Sequence, residues 1–193
     1  MTHTPVKLTF EQYLEYEDST DNRYELLEGE LIPMPPESGL NDRIARFLLV
    51  QFMNLVGLDR VVIHTLELQV QGNPPNRWAD FVVLRPEHVS QLEQRQTLLL
   101  YMAPPLLVAE LVSPYRNQND ENYRRDYVDK RQQYERRGIG EYWIIDPQAQ
   151  LVTVLVLVNG SYQTTEFSEN QRIVSRTFPE LELTATQVLA ARW

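Results

Sequence analysis

Two stretches of the chain are apolar on both alternations of a strand. They are Trp78-Ala79-Asp80-Phe81-Val82-Val83-Leu84 and Leu106-Leu107-Val108-Ala109-Glu110-Leu111-Val112. Runs of this kind predict core strands covered on both faces. Upstream, Val61 to Val70 alternates, with Val62, His64, Leu66, Leu68 and Val70 on one side, and predicts another strand. Arg23 to Met34 predicts two short strands around a turn at Glu28-Gly29, where glycine supplies positive φ. Glu141 to Asp146 predicts a strand stopped by Pro147. Val152 to Val158 and Tyr162 to Phe167, joined by Asn159-Gly160, predict a hairpin.

Helical spacing appears elsewhere. Ile44, Phe47, Leu48, Phe52, Leu55 and Val56 predict a buried-face helix from about Asn41 to Val56. Thr9 and Gln12 fit a capping box, with Leu8 and Tyr13 placed as a staple, so a short helix begins near Phe10. A long polar helix is expected from about Asn119 to Arg137, ended by Gly138. A last helix follows Thr184 and reaches Leu189. Pro86 ends the Asp80 strand, and residues 87–103 hold a short helix and a connection. No repeat, low-complexity stretch or linker breaks this order, and residues 1–193 read as one domain.

Composition narrows the classes. Hydrophobic residues at 42% and charged residues at 23% are ordinary for a soluble globular chain, and 193 residues suffice for a core. No apolar run is long enough to span a bilayer and no cleavable leader is evident, so a cytoplasmic protein without a membrane partner is expected. The lack of cysteine excludes disulfides, thiolate nucleophiles and Cys-ligated zinc. His3, His64 and His88 are scattered without ligand spacing, so a His-based zinc site is not expected. A net charge of −9, from 18 basic against 27 acidic residues, argues against nonspecific coating of nucleic acid. It leaves room for an enzyme that meets a phosphodiester at one cation-loaded cleft.

The acids inside the apolar runs carry the chemistry. A buried carboxylate is costly unless it is paired or bound to a cation. Asp80 could cap a bend or pair with an arginine, and Glu110 could pair with Lys130, an arrangement of little net stability. Tyr123, Tyr127, Lys130 and Tyr134, spaced by four, three and four, share one helical face. Arg124, Arg125, Asp129, Gln132 and Arg136 fall on the solvent-seeking side. The Lys130 ammonium either snorkels to water or points into a cleft beside the carboxylates. Two acids and a lysine in neighbouring core elements form a candidate metal site with a cationic partner.

Five segments in order carry a family resemblance. They are Tyr24-Glu25-Leu26-Leu27-Glu28-Gly29-Glu30-Leu31, Ala79 to Leu84, Val108-Ala109-Glu110-Leu111-Val112-Ser113-Pro114, Asp126 to Tyr134, and Gly138-Ile139-Gly140-Glu141-Tyr142-Trp143-Ile144-Ile145-Asp146-Pro147. Together they span nearly the whole chain. The chain resembles the PD-(D/E)XK nucleases and, within them, the Uma2 (DUF820) branch. That resemblance implies an α/β (α+β) fold with a restriction-endonuclease-like core: a central mixed sheet flanked by helices, with added N-terminal and C-terminal β-hairpins. It also implies a metal-dependent endonuclease that hydrolyses phosphodiester bonds in DNA. Asp80 and Glu110 match the family's acids and would bind Mg2+ or Mn2+, with the Leu111 carbonyl as a further ligand. Glu25 matches an acid of the first motif; it either completes the coordination or is an exposed strand acid.

The chain departs from the superfamily pattern at three positions. Val112 stands where the motif has lysine, and Lys130 is the candidate replacement. Ala79 replaces a proline. Asn41 replaces a histidine at the start of a helix and cannot act as an acid–base group near neutral pH. Arg124, Arg125, Arg131, Arg136 and Arg137 are candidate phosphate contacts. A homodimer is the expectation for an enzyme that cuts two strands. The alternatives are a catalytically weak or inactive nuclease fold that binds nucleic acid or a partner, and a structural dimer module using the hairpin from Val152 to Phe167.

Overall fold

Local signals set the first elements. The computed structural model describes residues 7–20 and 22–192, so His3 lies outside the described residues. Helix α1 (Phe10–Leu14) opens on the expected capping box, with Thr9 Oγ1 accepting from the Gln12 N–H at 3.2 Å and Gln12 Oε1 from the Thr9 N–H at 2.8 Å. Strands β1 (Tyr24–Leu27) and β2 (Glu30–Pro33) form their own two-stranded sheet. Glu28 at φ 50 and Gly29 at φ 87 make the left-handed pair that a two-residue hairpin requires. Helix α2 (Gly39–Val56) follows, capped by the Ser38 side chain.

The alternating and apolar runs build the centre. Strands β3 (Val61–Gln69) and β4 (Asn76–Val83) are antiparallel, and helix α3 (Pro86–Gln91) begins at Pro86. Strand β5 (Thr97–Leu98) is only two residues long and pairs parallel to β3. Strand β6 (Leu107–Leu111) is buried at every position. The polar helix is continuous but not regular: α4 (Glu121–Arg124), a π turn over Arg125–Lys130, then α5 (Arg131–Arg137), ended by Gly138 at φ 77. It crosses over to β7 (Glu141–Asp146), which is parallel to β6, as a helical crossover permits.

Strands β8 (Leu151–Val158) and β9 (Ser161–Phe167) form the expected hairpin. It is not a separate addition. The hairpin continues the main sheet, because β8 pairs with β7 from Glu141↔Val156 to Asp146↔Leu151. The sheet has seven strands in the order β5-β3-β4-β6-β7-β8-β9. Helix α6 (Ala185–Ala190) closes the chain.

Each sheet face has its own core. On one, α2 and α6 pack over Phe81, Leu107, Ala109 and Trp143, and the Phe52 ring lies tilted against Phe81 and edge-on to Phe178, with centroids 5.1 Å and 5.2 Å apart. On the other, Tyr134 and Ile139 cover Leu66, Val108, Tyr142 and Ile144. The result is a mixed α/β fold with helices on both faces of the sheet. Among the described residues, no helix is long and apolar enough to cross a membrane.

Candidate metal centre

Asp80 stands where β4 changes face. Phe81 and Val83 pack in the layer of α2, whereas Ala79 and Val82 pack in the opposite layer. The register with β3 also slips here, Ile63 pairing with Phe81 but Leu66 with Ala79. His64 and Thr65 therefore oppose Asp80 together, in a β-bulge. The β4–β6 ladder ends at Phe81↔Ala109, and beyond it the Leu111 N–H donates to Asp80 Oδ2 at 2.7 Å. The carboxylate takes the place of a missing ladder acceptor and leaves Oδ1 facing His64, 3.7 Å from Nδ1. The Leu111 carbonyl accepts from Asn41 Nδ2 at 3.1 Å, and its second lone pair leaves it able to accept again.

Glu110 points toward α5. Its Oε1 accepts from the Tyr134 hydroxyl at 2.5 Å and its Oε2 from Lys130 Nζ at 2.5 Å. Lys130 also lies 3.2 Å from Asp126 Oδ1, which in turn is 3.3 Å from Arg125 Nε. Glu110, Asp126 and Lys130 are all buried. In a regular helix, positions 126, 130 and 134 drift around the axis; the wider π turn keeps them on one face. Val112 is packed with Tyr134 and Tyr142 in the apolar layer, and Lys130 is the cation that reaches Glu110.

This cluster has more carboxylates than cations. Burial, together with the Asp80 and Asp126 carboxylates, outweighs the Lys130 ammonium and pushes Glu110 up to about 8, from an ordinary 4.5. Burial disfavours the Lys130 charge, but Glu110, Asp126 and Asp80 outweigh it and hold its pKa above the ordinary lysine range. A stability consequence follows. Folded Glu110 keeps its proton to about pH 8 whereas the unfolded chain loses it near 4.5. Its contribution is therefore complete below 4.5 and declines as pH rises through 8. Without divalent ions, the melting temperature of the wild type relative to Glu110→Gln should fall between pH 5 and pH 9. A constant difference would refute the raised pKa.

Asp80, Leu111 and Lys130 line a cavity of about 250 Å3 with Glu37, His64, Arg23 and Arg125. Glu37, His64 and Asp80 each offer one ligand atom, all within 4.8 Å of one another. Both His64 ring nitrogens are buried without a hydrogen-bond partner. Their carboxylate neighbours, Asp80 Oδ1 at 3.7 Å and Asp42 Oδ1 at 3.9 Å, lie beyond hydrogen-bond reach. Burial disfavours the imidazolium, but Asp80, Glu37 and Asp42 outweigh it and raise the His64 pKa. Burial and the Asp80 charge raise the Glu37 carboxyl above its usual range. Burial opposes the Asp80 charge as well, yet His64, Lys130 and the Leu111 N–H outweigh it and hold Asp80 low.

Among the described residues, His64 joins the acids individually. His88 belongs elsewhere, its Nδ1 accepting from the Arg85 N–H at 3.3 Å. Glu25 is not brought to the cavity: its Oε2 accepts from Arg77 at 2.8 Å, and it lines a neighbouring pocket. Arg125, expected on the solvent side, lines the cavity. Arg137 is buried and donates to the carbonyls of Leu99 and Met102, so it is committed within the fold. Sequence reasoning passed over His64, Glu37 and Asp126. The one available sign was a polar residue at position 64 on an otherwise apolar strand face.

Comparison with known proteins agrees with this architecture. The family described as "Uma2: Putative restriction endonuclease" matches residues 10–186. A solved structure, described as a "putative nuclease belonging to DUF820 from Anabaena variabilis ATCC 29413", is similar with a TM-score of 0.71. It is 19% identical, over 97% of this chain and 99% of that one, a likeness that shows a shared fold. No curated protein matches the chain.

Proposed function

The chain belongs to the Uma2 family, and from that premise we propose that it is a divalent-metal-dependent endonuclease hydrolysing phosphodiester bonds in DNA. The observation that carries this reading is the junction at Asp80, where a strand acid, two arginines and Lys130, itself paired with the buried Glu110 behind it, line one cavity. The donors fit a hard divalent ion. Asp80 would hold it, with the Leu111 carbonyl as a further oxygen, donors suited to Mg2+ or Mn2+. Glu110, whose two oxygens accept from Tyr134 and Lys130, would join them only by giving up one of those bonds. The local excess of carboxylates is what such a cation would relieve. When bound, the ion supplies an activated water and neutralises phosphate charge.

The chain's own groups do the positioning. The Leu111 N–H fixes one Asp80 oxygen, and Asn41 orients the Leu111 carbonyl. Glu110 and Asp126 hold the Lys130 ammonium at the cavity wall, where it would stabilise charge developing on a phosphate oxygen. Arg23 and Arg125 add positive charge for the phosphodiester backbone.

Supercoiled plasmid and single-stranded DNA, incubated with Mg2+ or Mn2+, test the reading. Conversion to nicked and linear forms is expected with metal and none with chelator. The proposal is overturned if no DNA form is cut with either ion, or if Asp80→Asn nicks as fast as the wild type, which would mark a contaminant.

A further inference from the structure

His64 is costly in three ways that the fold does not repay. It is held in the left-handed region at φ 57, unusual for a residue with a Cβ. Its two ring nitrogens are buried without hydrogen-bond partners, although one normally donates and the other accepts. It also occupies a bulge that breaks the β3–β4 register beside Asp80. Bulges of this kind re-aim a side chain, and strained backbone collects where a site demands it. Arg23 anchors the arrangement by donating to the His64 carbonyl.

What the strain delivers is a nitrogen donor next to two acids. We infer that Glu37, His64 and Asp80 form a mixed nitrogen–oxygen shell, so that this site binds a first-row transition-metal dication in preference to Mg2+. The inference rests on the reading of Asp80 as a metal ligand and deepens it by naming the class of ion. Two carboxylates and a neutral imidazole carry a charge of −2, matching a dication. Mg2+ favours oxygen and retained water, whereas imidazole suits the transition series.

The geometry is close to closed. Ligands about 2.1 Å from an ion can be no more than about 4.2 Å apart, against the 4.8 Å limit within which these atoms lie. A small side-chain rotation brings them in. His64 Nδ1 faces Asp80, so it is the donor; Nε2–H then faces Asp42, 3.9 Å away, in the manner of a carboxylate that orients a metal-bound imidazole. The cavity gives the ion access, since Glu37, His64 and Asp80 all line it.

The test uses Co2+, Mn2+ and Mg2+ as probes of the full chain. Titration calorimetry should show Co2+ binding at least about tenfold tighter than Mg2+, with affinity rising from Mn2+ to Co2+. His64→Gln should weaken Co2+ by at least about tenfold, the lower range for losing even an outer-shell partner, while changing Mg2+ far less. The Co2+ visible spectrum should change with it. The wild type alone provides a measurement that no folding defect can confuse: nitrogen hyperfine coupling on bound Mn2+ by pulsed electron paramagnetic resonance. A nitrogen-free Mn2+ signal, or Co2+ affinity unchanged in His64→Gln, overturns the inference. If Mg2+-dependent DNA nicking persists in that case, the nuclease reading stands without the histidine ligand. If DNA is never cut but nitrogen coupling is seen, the metal shell stands and the nuclease reading fails.

Discussion

Asp80→Asn should abolish DNA cleavage and, with it, the stabilisation that divalent ions give the wild type. Asparagine keeps an oxygen that can accept from the Leu111 N–H, so the 2.7 Å bond between β4 and β6 survives while the charge is lost. The substitution therefore separates ligand charge from strand architecture. Alanine does not, because it also leaves a buried N–H unsatisfied, at a cost of about 1–3 kcal/mol. For the wild type, metal at about 100 times its dissociation constant adds about 2.7 kcal/mol. In a chain of this length that corresponds to a rise of roughly 5–11 °C in melting temperature. Asp80→Asn should show almost none of it, since the oxygen facing His64 and Glu37 no longer carries charge. Its metal-free melting temperature should fall below that of the wild type, because His64, Lys130 and the Leu111 N–H favour the charged carboxylate and that contribution is lost. Scanning calorimetry with and without Mn2+ decides the matter. An undiminished metal shift in Asp80→Asn would place the ion elsewhere.

The acids and lysine were readable because charge inside an unbroken apolar run is expensive whatever the fold, and such expense survives translation into sequence. Turn chemistry was equally local: Glu28-Gly29 and Asn159-Gly160 form the hairpins their residues require, with positive φ at all four positions. What escaped depends on pairing between distant segments. No residue announces the bulge at His64; it arises from how β3 meets β4, and it turns an ordinary strand position into a site residue. Glu37 sits between prolines and α2, in a segment whose course is set by the separate β1–β2 sheet and the helix it enters. Asp126 was hidden in a run of charges until the π turn aligned it with Lys130 and Tyr134. The two-residue β5 exists only through its neighbour β3. Likewise, the C-terminal hairpin had a clear local signal, but its continuity with the sheet is written in the β7–β8 register.

Lys130→Met should uncouple metal binding from catalysis. Methionine retains most of the stem's packing but removes the ammonium that lies against Glu110 and Asp126. Breaking a buried ion pair from one side costs about 3–5 kcal/mol. Here the loss should fall near the lower end, because Glu110 already holds its proton to about pH 8 and Arg125 remains beside Asp126. The melting temperature should therefore drop by roughly 6–12 °C. Adding Glu110→Gln should recover little of it at neutral pH, where Glu110 is already protonated, and more above about pH 8, where the unpaired carboxylate would otherwise be charged. Metal binding should respond in the opposite sense. Removing a cation beside Asp80 leaves the local field more negative, so the divalent-ion shift in Lys130→Met should be as large as in the wild type or larger. Cleavage, measured well below the variant's melting temperature, should nevertheless fall by about 10²–10³-fold, the range for losing one preorganised group that stabilises transition-state charge. Retained binding with lost cleavage is a pattern that a merely structural lysine cannot produce. Wild-type nicking by folded, metal-loaded Lys130→Met would reduce Lys130 to the counter-ion of Glu110 and take the chemistry away from the π turn.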